Sequence, residues 1–457
     1  MCILLGLGGA LTAWQLDYSS TTVAGCLLGI PLLLLSFFDV RWLLGLTLCS
    51  VVWNDLALNE FLTVNKLLTG ALLAMTVINL VLGRTKRREM PTNLSIALML
   101  LFGICLLAEM TSQQSNWSSA VELAGAIFFY IGATQAIGEA KDLRPLLVVH
   151  ALNVIVVGAL LTREISWDTL MGGVVRAVGP TGNPNSLASV ATRGAPLCLA
   201  LAADRHSRVS IRVLSVAGIV SCVWIAYAAA SRGGSLALLA GFVAVATLLP
   251  RDNRRRILSL LAVSAMTLGL VTFAPTSFSE RVVGTFTSNA QSDEMLSGRT
   301  SDFYFGLELI QEAPLLGMGT RGVNMRRELR LGRSTAIHVA YVAAGASHGI
   351  PAALIFAAIL LIGAILGIRA IRTWPGDYAV VVGITSSVIA VIVDEMASPE
   401  LYRMNVLAWP LLAMLLFYRG KGTVAVRLRP RPTYQVARVP NLLHGVPMRP
   451  PEEQKSM

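Results

Sequence analysis

The stretch PAALIFAAILLIGAILGI, residues 351–368, carries no charged side chain and is closed by Arg369 and Arg372. A helix that crosses a bilayer needs about 20 mostly apolar residues, because lipid offers no partner to an unpaired backbone group. The run is continuous rather than alternating, which predicts a helical span and argues against a barrel strand. Comparable runs lie near 3–17, 21–38, 42–58, 66–83, 93–110, 119–137, 144–161, 186–203, 212–229, 235–250, 256–274, 378–394 and 404–418. Apolar residues fill 54% of the 457 positions and charged ones only 14%, where a soluble domain has about a quarter charged. The expected fold class is all-α, a polytopic membrane bundle of about 12–14 transmembrane helices.

The net charge of +11 does not point to nucleic acid, because the basic residues punctuate the ends of apolar runs. Arg84 to Arg88, Lys141 with Arg144, Arg205 to Arg212, Arg251 to Arg256, Arg369 with Arg372 and the tail from Arg419 occupy every second loop. The positive-inside rule places that side, and both termini, in the cytoplasm. The loops at 111–118, 162–185, 230–234, 275–348 and 395–403 then face outward. The expected organisation is an N-terminal bundle over 1–161, central helices over 162–274, a periplasmic loop with short amphipathic helices over 275–348, C-terminal helices over 349–418, and a disordered basic tail over 419–457. The six cysteines sit in or beside apolar runs without metal-type spacing, so they read as small buried hydrophobes.

Four polar clusters fall on the outward side. Arg176 precedes Gly182-Asn183-Pro184-Asn185 at the start of a span. This string reads either as a capped turn or as an anion site at a helix N-terminus. Ser231-Arg232-Gly233-Gly234 opens the next outward helix, with Ser231 as its cap and Arg232 at the bilayer surface. Ser297-Gly298-Arg299-Thr300 precedes an amphipathic stretch over 302–310, closed by Pro314-Leu315-Leu316-Gly317-Met318-Gly319. His338 follows Ser334 and Thr335, either of which can cap the helix that begins there. Imidazole suits general-base work near neutral pH. The long loop has seven arginines and no lysine, Arg321 among them, which suits bidentate phosphate recognition. His348 reads as loop punctuation, and His150 as an intramembrane histidine without an obvious partner.

Taken in order, these strings resemble the O-antigen ligase/polymerase superfamily of membrane glycosyltransferases, well over about 176–368 and by hydropathy alone before that. The resemblance implies a metal-independent, cofactor-free transfer of a glycan from an undecaprenyl-diphosphate-linked donor to an acceptor, lipid A–core or another glycan, at the outer face of the inner membrane. It implies catalytic roles for Arg232, Arg299 and His338. Arg176, Asn183, Asn185, Arg321 and Tyr341 are then candidates for binding diphosphate or substrate. The family often has Asn after that histidine, whereas Val339 follows here. Asp394 is a candidate for orienting His338 or an arginine, and equally for a salt bridge with Arg403. Arg193 and Glu122, both inside spans, are expected to pair, since lone intramembrane charges are costly. Ligase, polymerase and protein glycosylation share this donor chemistry. A secondary transporter would instead show inverted repeats with broken helices at the midplane, and no internal repeat is evident.

Overall fold

The computed structural model describes residues 39–53, 63–84, 88–112, 117–164, 176–204, 206–249, 299–332, 337–397 and 401–428. The spans expected near 3–17, 21–38 and 256–274 lie outside these residues, as does the tail beyond 428; the part of the tail over 419–428, expected to be disordered, is instead helical. The described residues hold thirteen α-helices and no strand. They are α1 (Val40–Ser50), α2 (Val64–Val81), α3 (Thr92–Thr111), α4 (Ser118–Ala136), α5 (Arg144–Glu164), α6 (Pro184–Ala203), α7 (Val209–Ala229) and α8 (Arg232–Leu248). Two short helices follow, α9 (Arg299–Glu312) and α10 (Thr320–Leu331), and then α11 (Ala340–Ile371), α12 (Tyr378–Asp394) and α13 (Met404–Leu428).

Six segments are long and apolar enough to cross a membrane: Val64–Val81, Thr92–Thr111, Ala140–Thr162, Pro184–Ala203, Val209–Ala229 and Ala340–Ile371. Shorter apolar helices cover Val40–Trp53, Arg232–Leu248 and Tyr378–Asp394. The protein is a multi-pass membrane protein. Its centre is α6, whose span is 83% buried against α5, α7, α8 and α12, whereas the span of α2 is only 22% buried. The rim shows the lipid-facing pattern directly. On α7, Val209, Val213, Val216 and Val220 are exposed at four- and three-residue spacing, one stripe of a 3.6-residue helix.

The polar contacts sort to two ends. At one, Arg41 pairs with Asp39 and Asp142, Arg144 with Asp377 and Asp204, and Arg419 Nη2 donates to Thr134 O at 3.0 Å. These are the basic loops expected on a common side. At the other end lie the N-termini of α6 and α8, the start of α11 and both short helices. His150 does have partners: Cys49 Sγ lies 3.5 Å from its Nδ1, and Trp409 packs edge-on at 5.3 Å. The described cysteines, Cys49, Cys105, Cys198 and Cys222, are free and buried.

α11 is two helices joined by a break at Gly349 (φ 85°, ψ 168°), followed by Pro351. The break frees three backbone groups that a continuous helix would pair. Proline has no N–H for Ser347 O, and Ile350 N turns away from Ala346 O. The 314–319 turn gives each of the three groups a partner. Met318 N donates to Ala346 O at 3.0 Å, Gly319 N to Ser347 O at 2.9 Å, and Ile350 N to Pro314 O at 2.8 Å. Two motifs that look separate in sequence, Gly-Ile-Pro and Pro-Leu-Leu-Gly-Met-Gly, are therefore the halves of one joint. It anchors the short helices to the bundle.

Candidate functional site

The Gly-Asn-Pro-Asn and Ser-Arg-Gly-Gly strings meet. Gly182 adopts a left-handed turn (φ 63°), Asn183 caps α6 by accepting from Asn185 N at 2.8 Å, and Pro184 takes the first helical position. Ser231 caps α8, accepting from Gly234 N at 3.3 Å while its hydroxyl donates to Asn185 Oδ1 at 3.0 Å. Arg176 donates to the same Asn185 oxygen at 3.3 Å and to Ala229 O at 3.0 Å. Asn185 thus ties Arg176 to the start of α8, and two helix N-termini end side by side. Arg232, the first residue of α8, is partly exposed there. α8 can approach this closely because position 233 is glycine: a Cβ there would lie 2.3 Å from Ala397 Cβ.

The 394–397 turn is the hub. Ala397 packs on Gly233, while Glu395 O accepts from Ala340 N at 3.0 Å, two residues past His338. Beneath it lies a buried ion cluster in which Arg193 Nη2 is 3.5 Å from both Asp394 Oδ2 and Glu395 Oε1. This corrects one expectation: Arg193 faces Asp394 and Glu395, not Glu122. Asp394 lies beside an arginine, one of the alternatives expected of it. α12 delivers both carboxylates at its outer end, directly against α6, where Ser387 Oγ also donates to Arg193 O at 2.8 Å.

The carboxylate beside His338 is Asp302, with Oδ2 at 3.8 Å from Nε2. Asp302 and Arg327, each 1% exposed, join α9 to α10 through bonds of 2.6, 2.6 and 3.1 Å. Arg326 pairs with Glu312 and Arg330 with Glu308 on the same helix. Three of the loop arginines therefore hold α10 to α9, which corrects the expectation that they serve phosphate recognition. Local charge complementarity between two short helices accounts for them. Arg321 is exposed on α10. Breaking the buried pair by Arg327→Met is expected to lower stability by about 3–5 kcal/mol, whereas Arg330→Ala changes it by no more than about 1 kcal/mol. Thermal unfolding of the two purified variants checks the contrast.

Tyr341 donates its hydroxyl to Ile392 O at 3.4 Å and packs on Phe356, so it ties α11 to α12. The helix starts at Ala340 with Val339 at its cap position and no side-chain cap; Ser334 and Thr335 lie outside the described residues. Arg299 begins α9, and its side chain also lies outside them.

Sequence reasoning missed a second buried network. Glu109 Oε1 accepts from Thr320 N at 3.0 Å and Thr320 Oγ1 at 2.8 Å, and lies 3.3 Å from His348 Nε2. His348 is fully buried and packs at a tilt against Tyr402, whose phenol burial pushes well above the usual tyrosine range. Far from punctuating a loop, His348 locks the joint to α3. Glu109 did carry a signal, as an acid inside an apolar run. Among the described residues, no three His, Cys, Asp or Glu side chains gather as a metal site would require.

The fold and this end of the bundle define a polytopic helical membrane protein with arginines, helix N-termini and one histidine on a common face. A family model described as O-antigen ligase matches residues 217–357, the segment from within α7 through His338 to the first half of α11. The match supports the O-antigen ligase superfamily, the same one that the motifs resemble. No curated protein matches the chain.

Proposed function

We propose that the protein is a membrane glycosyltransferase that moves a glycan from undecaprenyl diphosphate to an acceptor hydroxyl at the periplasmic face of the inner membrane. O-antigen ligation to lipid A–core is the acceptor reading we favour. The observation that carries the proposal is the 394–397 turn, on which both the Arg232 end of α8 and the His338 end of α11 pack. Arg176, Arg232 and the N-termini of α6 and α8 offer positive charge where a diphosphate leaving group gains negative charge, with Arg299 as the further arginine implied by the family. Asn183 and Asn185 shape that cradle.

In a single displacement, the acceptor oxygen forms a bond to the anomeric carbon as the bond to the diphosphate oxygen breaks. The anomeric centre inverts, the electron pair leaves with undecaprenyl diphosphate, and the acceptor proton passes to His338. Asp302 stabilises the imidazolium that forms.

The test incubates purified protein with undecaprenyl-diphosphate glycan and either lipid A–core or excess donor. A single glycan added to lipid A–core supports ligation, and lengthening chains on donor alone support polymerisation. Arg232→Ala and Arg299→Ala are each expected to slow turnover by about 10²–10³-fold, and His338→Ala by about 10²–10⁴-fold. An imidazole-free variant with full transfer rate would remove the proposed base.

A further inference from the structure

Between α4, α10 and α11 lies a cavity of about 220 Å³, and the proposed reaction does not yet use it. Sites for drug-sized ligands run about 300–1,000 Å³, so this one suits a single ring. Ile337, the residue before His338 in the chain, forms part of its wall. Its polar lining is Ser118, Ser119, Thr320, Asn324 and Ser347, with Glu122 and Arg403 contributing one charge of each sign. Val323, Leu401 and Ile337 supply an apolar patch. Balanced charge argues against a phosphate. Hydroxyls and an amide around an apolar patch match a sugar, which has a polar rim and apolar C–H faces.

The hydrogen-bond directions support this. Thr320 Oγ1 donates its only proton to Glu109. Ser119 Oγ, 2.9 Å from Thr320 Oγ1, must then be the donor of that pair. Ser119 therefore turns acceptor lone pairs to the cavity, suited to a ligand hydroxyl, while the Asn324 amide can both donate and accept. The Glu109–His348 network fixes Thr320, so this wall is preorganised rather than adaptable.

We propose that the cavity is a monosaccharide subsite that seats one sugar ring of the donor or the acceptor; the inference rests on the glycosyl-transfer reading above. The ring belongs either to the acceptor or to the donor's first sugar, and kinetics separate the two. In the full-length protein, initial rates are measured for Asn324→Leu and Ser119→Val while one substrate is varied and the other saturates. The KM of the substrate whose sugar binds there is expected to rise roughly tenfold, about 1.4 kcal/mol, with kcat within about twofold, and Asn324→Gln recovers part of the loss. A raised acceptor KM assigns the acceptor ring, and a raised donor KM the donor ring. If neither KM moves, the subsite is overturned.

Saturation-transfer NMR in nanodiscs gives a readout that needs no turnover, with delipidated core oligosaccharide and free repeat-unit glycan as probes. Signal from wild type that Asn324→Leu loses supports the subsite, even if no transfer is ever seen and the proposed reaction fails. No signal from wild type with either probe overturns it, even if transfer proceeds.

Discussion

Gly349→Val is expected to abolish glycan transfer and to yield little folded protein. The residue has φ 85° and ψ 168°, a region open essentially to glycine alone, and a side chain forced into it costs about 1–3 kcal/mol. Space adds a second penalty, because a Cβ at 349 would lie 2.1 Å from Leu315 O, a backbone atom that cannot rotate aside. Moving the 314–319 turn to make room breaks its three bonds to α11. Each contributes about 0.5–1.5 kcal/mol, and the buried groups left behind cost more. The sum is several kcal/mol, a large share of a marginal stability of about 5–15 kcal/mol. Size-exclusion profile and thermal unfolding in detergent check this. A Gly349→Val protein with wild-type yield and melting would show that the joint does not hold the short helices. Gly317→Ala tests the same joint from the other side, since its φ is 68° and a Cβ there would lie 2.3 Å from Ser347 C.

Arg193→Met is expected to be strongly destabilising, at about 3–5 kcal/mol. Arg193 is 2% exposed, Asp394 1% and Glu395 0%. Deleting the guanidinium leaves two carboxylates together in a low-dielectric interior, where mutual repulsion adds to desolvation. The control is the triple variant Arg193→Met, Asp394→Asn, Glu395→Gln, which removes these three charges together. Replacing a whole buried ion cluster is often close to neutral, so it should regain much of the stability. Equal melting of the single and triple variants would refute the electrostatic account. Transfer is expected to fall in the single variant as well, because Glu395 O holds the start of the helix that follows His338.

Much of the architecture was legible in the sequence. Hydropathy marked every described span, since burying an apolar run in lipid depends only on its own residues. Asn183 and Ser231 were legible as caps, because a cap bonds to backbone two or three residues away. The glycine turn after α9 was legible for the same local reason. The pairing of Arg193 was not, since its carboxylates lie about 200 positions further on and the intuitive partner was merely another acid inside a span. Asp302 looked like an ordinary polar residue on an amphipathic helix, and nothing local distinguishes an aspartate that will face a histidine.

The sequence by itself determined a multi-pass helical bundle with alternating basic loops and polar motifs at one end. Those follow from the solvation of single residues and from short-range backbone chemistry. Only the tertiary structure decided that Asn185 joins Arg176 to Ser231, that Glu109 meets His348 across 239 positions, and that Asp302 lies beside His338. Each partnership depends on which helices pack side by side and at what rotation. Hydropathy fixes where a helix sits in a membrane and leaves open which neighbour it turns toward.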